Sequence, residues 1–175
     1  MQRVYILGTS GSGKTTLGRS LAAKLSADFI EIDSIYHQGD WRPLPIAEFR
    51  EAVAARCAGE QWVADGNYSA VRDLVLARAD VIVGLDYPKW LVIRRLLRRT
   101  LRRAWTREEL WNGNRERFTS MFSRDPERNL LLWAWTTHAK RREQIAALMC
   151  DPAFGHTQRF RFTHPCQTEQ WLASL

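Results

Sequence analysis

Gly8 to Thr16 reads GTSGSGKTT. It fits the spacing G-x-x-x-x-G-K-[ST], with Gly8, Gly13, Lys14 and Thr15 in the fixed places. The flanks constrain the fold as much as the loop does. Arg3 to Leu7 is a short apolar run rich in β-formers, and beyond the loop Leu17, Leu21, Ala22 and Leu25 recur at helical spacing. A strand, a glycine-rich turn and a helix start form a cradle for phosphate. Glycines allow backbone conformations that turn several N–H groups inward, and the helix N-terminus adds its unpaired N–H groups and positive dipole end. Gly11, Ser12, Gly13, Lys14, Thr15 and Thr16 are therefore the expected nucleotide-binding residues. Lys14 supplies a cation for the β- and γ-phosphates, and the Thr15 hydroxyl is small enough to ligate Mg²⁺ beside them.

Further along, Phe29 to Asp33 and Gln61 to Asp65 read as strands that each end on a carboxylate, and Val81 to Leu85 is a nearly continuous apolar strand followed by Asp86. Arg159 to Thr163 alternates with period two, which suits an edge strand. Helical patterns cover Ile46 to Cys57, Val71 to Ala79, Trp90 to Trp105 and Leu130 to Met149, and Thr168 is placed as the cap of a last short helix. Ser34 to Pro45 reads as a loop. Apolar strands alternating with helices predict an α/β fold with a parallel sheet covered on both faces. Ligands of such sheets sit beyond the carboxyl ends of the strands, where the loop, Asp33 and Asp65 all fall. Asp33 there either takes a proton from a substrate hydroxyl or hydrogen-bonds it. Asp65 serves the metal through water and, with Gly66, Asn67 and Tyr68, binds the acceptor, and Glu31 acts through water or partners an arginine.

Net charge is +7, but Lys89 to Arg142 alone holds 15 Lys/Arg against 5 Asp/Glu, so the rest of the chain is acidic by 3. A local anionic partner follows. On the 90–105 helix, Arg94, Arg98, Arg102 and Arg95, Arg99, Arg103 form two stripes at i, i+4, with Ile93, Leu97, Leu101 and Ala104 opposite. Two or three of these arginines are expected to clamp phosphate bidentately. Arg141-Arg142 would approach from the returning helix, with the polar 106–129 segment as a lid. Lys14, Asp33, Arg99 and Arg142 make up the expected catalytic set, and Arg95 joins the acceptor side. Trp133 and Trp135 are expected in the core, and Trp41 and Trp62 near the acceptor. His37 and His138 are minor substrate candidates. No 18-residue apolar run or leader pattern is present, and Cys57, Cys150 and Cys166 fit neither a disulfide framework nor, with His156 and His164, a zinc spacing. A cytoplasmic protein without a membrane partner is expected.

The runs GTSGSGKTTLGRSLA, EIDSIYH, WVADGNYSAVRDL and LDYPKW, with the arginine helix, resemble the adenylate-kinase-like P-loop small-molecule kinases. Within these, TREELWNGNRERF followed by WAWTTHAKRRE is similar to the group labelled DNA topology modulation protein. The resemblance spans nearly the whole chain. It implies a P-loop NTPase three-layer αβα fold with a five-stranded parallel sheet and an arginine-bearing helical lid. One domain is expected, with its core at about 1–33, 60–90 and 155–175, an acceptor-binding segment at 34–60 and a lid at 103–130. ATP and Mg²⁺ are the implied cofactors, and phosphoryl transfer to a nucleotide or a hydroxylated metabolite the implied activity. The chain lacks the Thr-Gly-Asp-Leu-Leu-Arg and Asp-Gly-Phe-Pro-Arg runs of true adenylate kinases. Its Glu31-x-Asp33 with His37 is closer to shikimate- or gluconate-type kinases. A nucleotide-dependent nucleic-acid-binding protein, using the basic 94–103 helix, is the alternative from another class.

Overall fold

The structure is a computed structural model that describes residues 2–106, 108–115 and 129–175. Five parallel strands lie in the order β2-β3-β1-β4-β5, with β1 Arg3–Gly8, β2 Asp28–Glu31, β3 Trp62–Asp65, β4 Val81–Leu85 and β5 Gln158–Phe162. The helices are α1 Lys14–Leu25, α2 Ile32–Tyr36, α3 Ile46–Arg56, α4 Arg72–Leu76, α5 Lys89–Thr106, α6 Leu130–Cys150 and α7 Pro165–Ser174. Alternation along β1 divides the core into two layers. Tyr5 and Leu7 join Phe49, Val53, Val75 and Ile145 on one face, while Val4 and Ile6 join Leu17, Leu21, Val92 and Phe162 on the other. Continuous apolar strands are therefore what the sheet requires, since each strand residue meets a helix layer on one side or the other. Among the described residues no helix is long and apolar enough to cross a membrane.

Several local expectations are corrected. Strand two stops at Glu31, which pairs with Asp65, the last residue of β3. Because β2 is an outer strand, no other ladder can extend it, and Ile32 turns inward to start α2 with Ser34 Oγ bonded to the Glu31 carbonyl at 2.7 Å. Asp33 thus stands in the first turn of a short helix, one step past the sheet edge. The 34–45 stretch carries that helix and a 3₁₀ turn at Gly39–Trp41. The last helix begins earlier than expected. His164 caps it, with Pro165 in the first turn and Gln167 closing a capping box, whereas Thr168 is buried and shares a 2.6 Å hydrogen bond with the Tyr87 hydroxyl.

Trp133 and Trp135 are exposed, because α6 packs through Ala134, His138 and Ile145 and the two indoles flank that line. Trp62 is fully buried at the start of β3, the edge away from the loop, with Nε1 donating to the Cys57 carbonyl at 3.1 Å. On α5 the buried line is Val92, Leu96 and Thr100, not the Leu97/Leu101 line, which is partly exposed.

Asp86, 3 % exposed at the end of β4, receives Arg142 Nε at 2.7 Å and Arg161 Nη2 at 2.6 Å, while its N–H donates to the Phe162 carbonyl at 2.9 Å. One carboxylate therefore fastens α6 and β5 to β4. Asp86→Ala strands two arginines around an apolar hole. We expect a loss of about 2–4 kcal/mol in urea unfolding, below the range for fully enclosed pairs because both guanidiniums are partly exposed. A change under about 0.5 kcal/mol would show that the tie contributes little.

Candidate active site

The glycine-rich loop joins β1 to α1 and leans directly on α5. Gly11 has φ 87°, and a Cβ there would come within 2.8 Å of the Val92 carbonyl and 2.9 Å of Leu96 Cβ, so only glycine fits. Gly13, at φ 98°, delivers the chain into α1. The first N–H of α1 with a carbonyl one turn back is that of Leu17, bonded to Gly13 at 3.0 Å, which leaves the N–H groups of Lys14, Thr15 and Thr16 turned to the cleft. Among the described residues the buried Ser12 hydroxyl has no hydrogen-bond partner, and Lys14 Nζ bonds weakly to the Thr9 carbonyl at 3.4 Å. A phosphate chain matches each of these groups.

Carboxylates stand opposite. The strand register sets Glu31 beside Asp65, and the Thr15 hydroxyl donates to Asp65 Oδ2 at 2.7 Å while lying 3.5 Å from Glu31 Oε1. Glu31 also pairs with Arg19 at 3.2 Å. Burial pushes the Asp65 carboxyl up to about 6; Lys14 and the Thr15 bond oppose the shift, and Asp33 and Glu31 add to it. Desolvation in the cleft lowers the Lys14 ammonium, which Asp65 and Asp33 sustain and Arg99 and Arg141 oppose. Among the described residues no three His, Cys, Asp or Glu side chains gather to hold a metal by themselves. Thr15 with Asp65 fits Mg²⁺, which keeps waters and takes few protein oxygens alongside phosphate oxygens.

The Asp33 carboxylate faces Tyr68, whose hydroxyl is raised by burial and then by that charge, and Tyr68 also meets His37 Nε2 at 3.3 Å. Tyr36, Phe49 and Tyr68 pack ring against ring beneath it. His138 is buried, its Nε2 against the Tyr87 carbonyl at 3.0 Å, and takes no place in the cleft.

Arg95, Arg98, Arg99, Arg102 and Arg103 line the cleft from α5, and Arg94 does not. Arg95 Nη1 sits 3.8 Å from where a Cβ on Gly13 would lie, and its guanidinium crosses the Tyr87 ring at 5.6 Å. That puts Arg95 on the loop side rather than the acceptor side, a consequence of the Gly11 contact with α5. Arg102 and Arg103 meet Glu108 at 3.1 and 3.6 Å. Arg142 is a correction: Asp86 holds it outside the cleft lining, and Arg141 occupies the place expected of it, lining the cleft and donating to the Asn67 carbonyl at 3.3 Å. Asn67 lines the cleft with Gly66 and Tyr68. Its side-chain amide is engaged with both backbone groups of Gly8, so it braces the loop's entry. Gly66 makes room for Ile32, whose Cβ would stand 2.9 Å from an added one. Within the expected lid, residues 108–115 lie over the 34–45 stretch, and 107 and 116–128 fall outside the described residues. The contribution of Trp111, Asn112 and Asn114 was not read from the sequence, where only the Asn112-Gly113 turn signal pointed to it.

A family model described as Shikimate kinase matches residues 10–49, the stretch holding the loop and Glu31-x-Asp33. A shikimate kinase from Sulfurihydrogenibium sp. (strain YO3AOP1) is 42% identical over 38 residues, 22% of this chain and 23% of that relative. Among solved structures, shikimate kinase from Acinetobacter baumannii in complex with shikimate superposes with a TM-score of 0.58 at 17% identity, over 99% of this chain and 90% of that one. A gluconokinase from Sinorhizobium meliloti 1021 gives 0.52 at 19%, over 99% and 92%. Shikimate kinase from Bacteroides thetaiotaomicron gives 0.56 at 17%, over 99% and 95%. These likenesses show the expected α/β fold with its five-stranded parallel sheet.

The raised Asp65 carboxyl has a measurable consequence. The unfolded chain releases that proton near pH 3.9, the folded one near 6. Between about pH 4 and 6 the folded state holds the extra proton, so its stability falls as pH rises through this window, by about 2–3 kcal/mol, and levels off above it. Asp65→Asn removes that slope. Urea midpoints of wild type and variant from pH 4.5 to 7.5, without metal or nucleotide, should converge at low pH and diverge at neutral pH. Parallel curves would show that Asp65 titrates normally.

Proposed function

We propose that the chain is an ATP-dependent phosphotransferase that moves the γ-phosphoryl group to a hydroxyl of a small molecule. The supporting observation is the convergence of Lys14, Asp65 and Asp33 at the mouth of the phosphate loop, close enough for both carboxylates to sustain the buried ammonium. In this reading the N–H groups of the loop and the first turn of α1 hold the phosphates. Thr15 and Asp65 would hold Mg²⁺, which neutralises charge on the phosphate oxygens. Arg95 and Arg99 from α5 and Arg141 from α6 surround the transferred group, and Asp33 orients the acceptor hydroxyl and takes its proton. Phosphoryl transfer asks for this combination of positioning and charge neutralisation more than for covalent help.

The family match over residues 10–49 and the shared fold with proteins named shikimate kinase and gluconokinase support a hydroxylated acceptor over a nucleoside monophosphate. Asp33 points the same way, since a carboxylate beside the reacting centre repels a phosphate acceptor. The acceptor segment at 34–60, the lid at 103–130, the cytoplasmic setting and the narrower kinship with the DNA topology modulation protein group are parts of this proposal. The nucleic-acid alternative gains nothing from α5, five of whose six arginines line the cleft.

Purified protein with Mg·ATP, screened against nucleoside monophosphates, nucleosides and hydroxylated metabolites, should transfer phosphate to a hydroxyl compound. Lys14→Ala should abolish transfer; turnover near wild type would remove the loop from the active site. Asp33→Asn keeps shape and removes charge. On a hydroxyl acceptor it should lower kcat about 10²- to 10⁴-fold with ATP affinity little changed. Full activity of that variant would exclude Asp33 as the base.

A further inference from the structure

Strand β1 runs further than its neighbour on one side. Its pairing with β3 ends at Ile6 opposite Asp65, whereas its pairing with β4 continues to Gly8 opposite Leu85. The β3 chain leaves the sheet after Asp65, and the Gly66 N–H closes the ladder on the Ile6 carbonyl at 3.3 Å. Along a strand, alternate residues turn their backbone groups to the same neighbour. The N–H and carbonyl of Gly8 therefore face the side that β3 has left. Gly8 is buried, and buried backbone groups need partners. The Asn67 side chain supplies both: Oδ1 accepts the Gly8 N–H at 3.3 Å, and Nδ2 donates to the Gly8 carbonyl. A primary amide carries the donor and acceptor of a peptide group, so Asn67 forms an extra rung of the sheet beyond the end of β3.

Much hangs on Gly8. A Cβ there would fall 2.5 Å from Ser12 Oγ, so the Ser12 side chain lies directly over it. The carbonyl of the next residue, Thr9, accepts the Ser12 N–H at 3.0 Å and Lys14 Nζ at 3.4 Å. A shift at Gly8 therefore carries the buried serine hydroxyl and the loop lysine with it. On its other side, Asn67 accepts Arg141 Nη1 at its main-chain carbonyl, at 3.3 Å. Lys14 and Arg141 reach the cleft from α1 and α6, and Asn67 is joined to one through Gly8 and Thr9 and to the other directly.

We propose that Asn67 is a positioning residue for the phosphate loop: its amide holds the loop's entry, and with it Lys14, at a fixed place relative to Arg141 around the transferred phosphoryl group. The inference rests on the phosphotransferase reading above. Phosphoryl transfer depends on where charges stand rather than on covalent help, so a displaced lysine lowers both affinity and rate. A loop braced before nucleotide arrives also needs less ordering on binding. The role calls for asparagine. Aspartate has the same shape but no donor, and it would set a negative oxygen against the Gly8 carbonyl. Leucine fills the space and offers neither bond.

The test uses the full chain and the Mg²⁺ complex of a β,γ-imido ATP analogue, titrated by calorimetry, together with hydrogen exchange of the free protein. Asn67→Asp and Asn67→Leu should each raise the Kd about 10-fold, the size expected when a buried carbonyl loses its donor. Exchange across residues 8–16 should quicken in both free variants, while residues 158–174 keep the wild-type pattern. With an acceptor from the screen above, kcat should fall about 10-fold and the acceptor KM stay within about 2-fold. Should either variant fail to fold, Asn67→Ser, with a shorter hydroxyl, decides by the same readouts. A residue that merely fills space predicts that Asn67→Asp, which keeps the volume, matches wild type. A Kd within about 2-fold in Asn67→Asp therefore overturns the inference, as does lower unfolding stability with affinity unchanged. An effect confined to the acceptor KM overturns it too, and makes Asn67 an acceptor contact. If wild type binds the analogue but passes phosphate from ATP to no compound, the phosphotransferase reading fails by itself, and affinity and exchange still decide whether Asn67 sets the loop for phosphate. Wild type that does not bind the analogue overturns both.

Discussion

Asp65 is the constraint around which the site closes. Its carboxylate is almost out of contact with water, yet it sits between the Thr15 hydroxyl and the reach of Lys14. A buried carboxylate is tolerable only with such partners, and they come from the turn after β1. The parallel register does the rest. β1 pairs with β3 so that Ile6 faces Asp65, and β3 pairs with β2 so that Asp65 faces Glu31. Three neighbouring strand ends thus deliver the glycine-rich loop and two carboxylates to one edge. Displacing any strand by one residue would turn one of these groups to the opposite face of the sheet.

The charge balance of the cleft explains why arginines gather there. Lys14 is sustained by Asp65 and Asp33 and opposed by Arg99 and Arg141, so two guanidiniums crowd one desolvated ammonium that two carboxylates hold in place. Burial and the neighbouring Arg72 likewise lower the Arg141 guanidinium. Like charges are held together only if the fold enforces it, and the Gly11 contact with Val92 and Leu96 does so for α5. A ligand carrying several negative charges would relieve that crowding.

The residues differ in how far sequence revealed them. The loop was legible because its chemistry demands fixed residue types at fixed spacing, and the strands because burial on both faces demands unbroken apolar runs. What escaped depends on partners distant in sequence. Strand two ends where β3 ends, so Asp33 belongs to a helix that its own segment does not announce. Arg141 and Arg142 are indistinguishable by composition; they differ by one step of helical phase, and the choice is made by Asp86, 56 residues away in sequence. Tryptophans at 133 and 135 look like core, yet the small Ala134 between them takes the buried position. The Asn114 contact with the Trp41 N–H could not be read because it joins a turn to another turn 73 residues away along the chain.

That contact bears on how the two halves of the cleft are joined. The 108–115 stretch pairs with the end of α5, whose arginines line the cleft beside the phosphate loop, and with the 34–45 stretch. Glu108 strengthens the first junction through Arg102 and Arg103, and Asn112 and Asn114 make the second. Among the described residues, α5 and the 34–45 stretch are thus each tied to 108–115, so the arginine-bearing side of the cleft and the side opposite it are not independent of one another.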